Sequence, residues 1–440
     1  MRTMAKRLAI VSSGVASPLS SALEFAKRAQ SLGYEVGVFA PCAARGLILH
    51  CDLQHIETPE PRVDAFAPLL TREEMKGLTA KQRKDAAVDA LGAEAFADAL
   101  TGFQPDALFV DCELHAQILV GLSQGLPTAQ FSNMFLSPPG LRAPPLNKRA
   151  HPGVGLRGSR IGVLLIWTSF LLWKLRKRLC NRYRYGEAEY SAALRELARR
   201  LGVPLAQKRR LLCWQMPWTY RIPTALLLPK ALDLPTRLYP GFAYLGSMIL
   251  QDRPEKPHDH DAVARFCSAP DGKKRIFVGF GTMMHPKSGL LSSLWAVARK
   301  HPEWQFLFAA GRKWEDDSLT GLPPNVEVVA WVPQQELMHH ADLAIMHGGT
   351  GGFAEAVEAA TPVLLYPHVN DQQGSAARAI FHGIGRAGRQ TDTPDQIESD
   401  IQSLLSDPGY KENCKALQAA CVAETGAASL ANILRNFIDK

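Results

Sequence analysis

His347-Gly348-Gly349-Thr350-Gly351-Gly352-Phe353-Ala354-Glu355, followed by Pro362 and then Asp371-Gln372, is the stretch that decides the fold. An apolar run, Leu343-Ala344-Ile345-Met346, leads into the glycines, and an amphipathic stretch, Phe353 to Ala360, leads out. Strand, glycine-rich turn and helix start make the geometry that binds phosphate. Glycines let the backbone approach closely, and the first helical N–H groups point at the anion. Glu355 follows one to two turns into that helix, placed to accept hydrogen bonds from a ribose diol. Asp371-Gln372 lies just beyond the next apolar run, Val363 to Tyr366, where a sugar ring is read through its hydroxyls. The cluster reads as a nucleotide-sugar site.

Four submotifs occur in order over about forty residues: Trp331-Val332-Pro333-Gln334, His347-Gly348-Gly349, Glu355 and Asp371-Gln372. In this order and spacing the chain resembles the inverting nucleotide-sugar glycosyltransferases, the family that includes plant and bacterial UDP-glycosyltransferases. The resemblance extends to Phe277–Thr282, Leu238–Ser247, Pro105–Asp111 and Gly125–Phe131. Gln373 to Arg378 and Ser17-Pro18-Leu19 are most similar to bacterial enzymes of the zeaxanthin glucosyltransferase type. Thr350 stands where the plant pattern has Trp, and Gly351-Gly352 where it has Asn-Ser.

The resemblance implies a GT-B architecture, two facing Rossmann-like α/β domains with the site in the cleft between them. It also implies roles. Trp331 would stack on the nucleobase and the Val332 backbone would read its edge. Gln334 belongs to the same donor motif, and Glu355 would take the ribose hydroxyls. Thr282, His347, Gly349, Thr350, Gly351 and Gly352 would surround the diphosphate, and Asp371 and Gln372 would hold the sugar. The donor is expected to be a UDP-sugar, with dTDP as the alternative nucleotide. Fixed dipoles and side-chain donors aimed at a leaving diphosphate stabilise it, so no cofactor or metal is expected. Asp259-His260-Asp261 lies in a linker and is not read as a metal site.

The wider sequence agrees with two α/β domains. At 440 residues the chain is long for one domain. Hydrophobic residues make up 46% and charged ones 21%, a globular balance. Short apolar runs alternate with helical patterns in both halves, the signature of doubly wound parallel sheets. Residues 1–250 read as an acceptor-binding domain, 251–262 as a Pro- and charge-rich linker, and 263–440 as the donor domain. Leu430 to Ile438 is a candidate for a last helix returning to the first domain. A helix is expected over Ala86 to Leu100. Met1 to Val11 has too short an apolar core for a signal peptide, and Arg7 to Ser12 reads as a first buried strand. Eight scattered cysteines without C-x-x-C spacing exclude a zinc finger and a disulfide framework, and point to the cytoplasm.

The base that inverting transfer needs is not where the family keeps it. Relatives place a His just after the first strand; here the setting is Gly14-Val15-Ala16-Ser17-Pro18, and Val15 accepts no proton. Gly14, Val15 and Ser17 would still face the acceptor. Either the base comes from elsewhere, or the register differs by a residue or two, or the protein is not a conventional glycosyltransferase. The nearest candidates are Asp111, His115 and Glu113, in that order of preference. The bland readings are a helix cap for Asp111 and a satisfied surface side chain for His115.

The net charge of +8 is uneven. From Lys148 to Arg210 there are 16 Lys or Arg and 3 Asp or Glu, a local +13 that leaves −5 elsewhere. No nucleic-acid signature accompanies it. Within this segment Ile161 to Trp173 runs thirteen residues without a charge, flanked by basic side chains. That is short of the roughly 20 residues a spanning helix needs. Residues 161–178 read either as a peripheral contact with an anionic membrane or as a buried helix lining an acceptor pocket. Either way the acceptor would be lipophilic: a carotenoid, terpenoid, polyketide or lipid. Two other readings stay open. One is a nucleotide-sugar epimerase or hydrolase of the same fold. The other is a non-catalytic nucleotide-sugar-binding partner protein, which the loss of the usual His favours.

Overall fold

The computed structural model describes residues 5–62, 67–254, 258–268, 272–281, 288–311, 321–424 and 427–438. Leu8-Ala9-Ile10-Val11 is buried along its whole length, as a strand covered by helices on both faces must be. It lies in a sheet built from β1 (Arg7–Val11), β2 (Glu35–Ala40), β3 (Gln54–Glu57), β4 (Ala107–Asp111), β5 (Thr128–Ser132), β6 (Thr224–Leu226) and β7 (Phe242–Tyr244). Their order is β3-β2-β1-β4-β5-β6-β7, every pair parallel.

The second half repeats the plan. β8 (Lys274–Gly279), β9 (Trp304–Ala309), β10 (Val326–Val329), β11 (Leu343–Met346), β12 (Val363–Leu365) and β13 (Gly385–Ala387) form a parallel sheet in the order β10-β9-β8-β11-β12-β13. In both sheets the strand order reverses beside the first strand, between β1 and β4 and between β8 and β11. Loops leaving the carboxyl ends of strands at such a switch point diverge and leave a crevice, where α/β proteins bind ligands.

Most predicted elements are present within a residue or two. The helix expected over Ala86 to Leu100 is instead two helices, Ala80–Asp89 and Ala93–Phe103. The first carries a capping box, Thr79 with Gln82, and the second starts after Gly92, which sits at φ +66°. Asp259-His260-Asp261 opens a helix, His260–Cys267, with the Asp259 carboxylate accepting from the Ala262 N–H at 2.9 Å. That local role explains the spacing without a metal.

The two sheets are locked by a fully buried ion pair. Arg378, on the helix Gln372–Phe381 of the second sheet, donates from Nε to Asp233 Oδ1 at 2.9 Å and also from Nη2. Asp233 belongs to the first half. Its Oδ2 accepts from the Leu136 N–H at 2.9 Å and the Tyr244 hydroxyl at 2.8 Å. Arg378 also donates to the Gly374 carbonyl at 2.9 Å and lies 4.0 Å over the Phe135 ring. Phe135 and Leu146 join one apolar core with Phe353, Ala376 and Ala379. A second tie comes from the carboxyl-terminal helix Ala427–Ile438, whose Leu430 and Leu434 pack beneath the first sheet. The Phe437 ring there meets Phe109 of β4 at 4.9 Å.

Asp233→Ala leaves the Arg378 guanidinium buried without its counter-charge. It is expected to lower unfolding free energy by about 3–5 kcal/mol in a denaturant titration. Arg378→Met is expected to cost less, because Asp233 keeps three hydrogen-bond donors, the Leu136 and Leu234 N–H groups and the Tyr244 hydroxyl.

Candidate functional site

The glycine-rich turn and its helix form as the sequence predicts. β11 ends at Met346, and the helix Thr350–Glu358 begins after Gly349. Its first i→i−4 bond is from Phe353 N to Gly349 O, at 3.0 Å. The Thr350, Gly351 and Gly352 N–H groups therefore lie free of that ladder at the helix start, where the dipole is positive.

The His347 imidazole sits between two glycines. A Cβ on Gly349 would fall 2.7 Å from Nε2, and one on Gly281, itself at φ +76°, 3.0 Å from Cε1. Any side chain at either position would displace the ring. Burial pushes the His347 pKa down to about 4, only partly offset by the Gly279 backbone, so the ring is neutral near pH 7. Its Nδ1 has no hydrogen-bond partner.

Thr350 Oγ1 donates to Asp371 Oδ2 at 2.5 Å, which joins the glycine turn to the Asp-Gln pair. Gln372 turns inward: its Oε1 accepts from the His368 and Val369 N–H groups at 2.7 and 3.1 Å. That carboxamide oxygen shapes the loop after β12. Glu355 is buried and engaged on both oxygens, by Gln334 Nε2 at 2.6 Å and by the Arg253 guanidinium. Trp331 is half-buried, with the His258 ring 5.5 Å away. Val332 packs its side chain into the donor-side core. Thr282 lies outside the described residues.

The opposite wall comes from the first sheet. Gly14 and Val15 follow β1, and Val15 is exposed at the start of the helix Ala16–Ser31. Ser17 reaches across the cleft: a Cβ on Gly351 would lie 3.1 Å from its Oγ. Asn133, at the end of β5, donates to the same Oγ at 3.4 Å.

Asp111 ends β4 and is 4% exposed. Its Oδ1 accepts from the Glu113 N–H at 3.1 Å, and its Oδ2 has no partner. Burial raises the Asp111 pKa to about 6. Glu113 is reached by solvent, yet only within walls that crowd it. Burial, then the charges of Asp111 and of Asp371 across the cleft, push it up to about 8. The Asp371 carboxyl is raised as well, mainly by burial. Three carboxyls with lifted pKa values thus converge from two domains.

His115 is elsewhere. It is 1% exposed, and its ring packs against Tyr190, Trp218 and Tyr220 at 6.2, 5.9 and 5.5 Å. Nε2–H donates to the Met216 carbonyl at 3.1 Å, and burial lowers its pKa to about 4. The expected surface side chain is a core side chain, because the helix His115–Ser123 turns this face inward.

Arg253 was not singled out in the sequence. It sits in the Pro- and charge-rich linker, and its contact with Glu355 spans 102 residues of chain. Asn133 likewise carries no motif. Among the described residues, no group of three or more His, Cys, Asp or Glu side chains could hold a metal ion.

The chain is similar to known proteins in sequence and in fold. Residues 309–437 match the family model described as the erythromycin biosynthesis protein CIII-like, C-terminal domain. The chain is 33% identical over 136 residues to the oleandomycin glycosyltransferase of Streptomyces antibioticus, covering 30% of this chain and 31% of that protein. It is 29% identical over 211 residues to the zeaxanthin glucosyltransferase of Pantoea ananas, covering 47% of each. The chain therefore spans about a third to a half of the length of these curated relatives. The solved structure of the glycosyltransferase VinC in complex with dTDP superposes at a TM-score of 0.67, with 15% identity, over 98% of this chain and 99% of that one. The fold is GT-B, and residues 309–437 are similar to the EryCIII-like carboxyl-terminal domain.

The lifted carboxyls set a pH dependence of stability. Folded pKa values above the unfolded ones mean that the folded state binds more protons between about pH 4 and pH 8. This contribution is present at low pH and lost as pH rises through the folded values. Glu113→Gln is expected to make the melting temperature fall less steeply between about pH 5 and pH 8, measured by scanning calorimetry.

Proposed function

We propose that the protein is an inverting glycosyltransferase that moves a hexose from a UDP-sugar to a hydroxyl group of a lipophilic acceptor. The observation that carries the reading is the facing of two switch points. The phosphate-binding turn with Thr350 and Asp371 stands on one side, and the Asp111–Glu113 pair on the other, close enough that Asp371 acts on Glu113. The relatives' names and the EryCIII-like match support the reaction class.

In this reading the roles follow position. Trp331 stacks on the base, and Val332 meets its edge through the backbone. Glu355, with Gln334 beside it, takes the ribose diol once Arg253 gives way. The first-turn N–H groups of Thr350, Gly351 and Gly352, with the neutral His347 beside Gly349, meet the diphosphate. Negative charge grows on that group as the glycosidic bond breaks, and donors already in place stabilise it without reorganising. Asp371 and the free amide end of Gln372 face the sugar. The acceptor enters past Gly14, Val15 and Ser17.

Asp111 is the base of this proposal. It removes the acceptor hydroxyl proton as that oxygen attacks the anomeric carbon and UDP departs from the opposite face. Asp111 and Glu113 titrate as a pair, and near neutral pH the pair holds one proton. The Asp111 Oδ2, buried and without a partner, is the atom that accepts, while a protonated Glu113 can donate to a hydroxyl. His115 is left out, since its ring is enclosed. We place the reaction at the inner face of the cytoplasmic membrane, where the eight unbridged cysteines stay reduced and a lipophilic acceptor is met. Residues 1–250 serve the acceptor and 263–440 the donor.

Release of UDP or dTDP from a panel of nucleotide sugars, with and without a lipid and pigment extract, tests the reading. Acceptor-dependent release from a UDP-sugar is expected. Asp111→Asn should lower kcat about 10²–10⁴-fold while leaving UDP affinity unchanged. Gly349→Ala, which presses on His347, should weaken UDP binding by roughly tenfold or more in calorimetry. Tight UDP binding without any turnover would favour the non-catalytic partner that Val15 suggests.

A further inference from the structure

The basic, apolar segment forms a single helix, Arg160–Tyr185, with two apolar faces. One face is packed. Val163, Trp167, Phe170, Lys174 and Asn181 are buried, Trp167 Nε1 donates to the Ala143 carbonyl at 2.7 Å, and the Lys174 ammonium donates to the Gln215 and Cys213 carbonyls at 2.6 and 3.1 Å. The opposite face carries Ile161, Leu165, Thr168, Leu172, Leu175 and Leu179. At 100° per residue these six fall within about 40° of one line, a stripe roughly 27 Å long. Five are large aliphatic side chains and all five are exposed, Leu172 at 62% and Leu179 at 61%.

Exposed apolar side chains are scattered on ordinary surfaces. Here they are gathered: of 19 exposed large hydrophobic residues among those described, 12 lie between Val154 and Leu212. Leu211 and Leu212 stand beside the stripe and enclose with it a groove of about 390 Å³. The helix has seven Lys or Arg and no Asp or Glu. Arg176 and Arg182 flank the stripe on its two sides. No helix among the described residues is long and apolar enough to cross a membrane. An apolar stripe between basic flanks, on a helix anchored by its other face, meets the requirements of an interfacial helix: apolar side chains enter the acyl boundary while cations meet headgroup phosphates.

We propose that this stripe docks the protein on the surface of an anionic phospholipid bilayer, with the helix lying in the plane of the leaflet. The proposal names the surface behind the membrane location given above. It rests on the helix alone and does not depend on the donor site. The same helix is tied to that site through the Ala143–Arg149 segment, since Arg149 donates to the Gly388 and Ala387 carbonyls of the donor domain at 3.2 and 3.3 Å. Docking would therefore hold the cleft close to a lipophilic acceptor in the leaflet.

Flotation of the full chain with vesicles of phosphatidylglycerol and phosphatidylcholine, against pure phosphatidylcholine, tests this. Binding to the anionic vesicles is expected, at least tenfold weaker on pure phosphatidylcholine or in molar salt. The variant Leu172→Glu, Leu179→Glu is expected to lose at least tenfold in vesicle affinity. Both positions are exposed, so its circular dichroism and UDP affinity should stay unchanged. Absence of vesicle binding overturns the proposal. So does a concentration-dependent dimer in sedimentation that the same variant dissociates, since the stripe would then be covered by a second copy. UDP binding measured alongside keeps a failure of docking distinct from a failure of the transferase reading.

Discussion

The buried Arg378–Asp233 pair sets the relation between the two sheets. Neither charge would be tolerated alone in that core, because an unpaired ion away from water is strongly destabilising. The pair exists only when both domains are docked in one orientation, with the Leu136 N–H, the Tyr244 hydroxyl and the Gly374 carbonyl completing its bonds. An apolar contact tolerates sliding; a charge network of this kind specifies register. Because Arg378 lies about two turns into the helix that Asp371 precedes, fixing Arg378 also fixes where Asp371 stands opposite Glu113.

The cleft that results is crowded with acid. Glu113, Asp111 and Asp371 come from two domains, and desolvation lifts all three. The proposed reaction, which handles sugar hydroxyls and then releases a diphosphate, would benefit from this arrangement. The Asp111–Glu113 pair, holding one proton near neutrality, can both accept and donate, and in that reaction it would repel an anionic leaving group less than two ionised carboxylates would. The positive end of the Thr350–Glu358 helix and the neutral His347 stand on the side proposed for the diphosphate, so charge is graded across the cleft.

How much of this could be read in advance varies residue by residue. The strand–turn–helix at Met346 to Glu355 was legible, because glycine spacing and apolar periodicity are local properties. The ladder of parallel strands was legible for the same reason. His115 was not: its sequence neighbours are consistent with a surface helix start, and only the approach of Tyr190, Trp218 and Tyr220 makes it core. The local role of Gln372 was not legible either: its carboxamide oxygen serves two backbone amides four and three residues earlier. Arg253 carried no signal, since its partner lies 102 residues away. The helix over residues 160–185 was visible as an apolar and basic run, but not as two opposed faces, one packed and one open.

The sequence by itself determined that this is an α/β protein of two parallel sheets with a glycine-rich strand–turn–helix, because strand burial, glycine placement and motif spacing depend on neighbours within a few dozen residues. The tertiary structure alone decided which acids meet, that the His115 ring is enclosed among aromatic side chains, and which side of the basic helix is left open. Those depend on contacts between segments a hundred or more residues apart, and on the solvent each group loses when the two sheets close together.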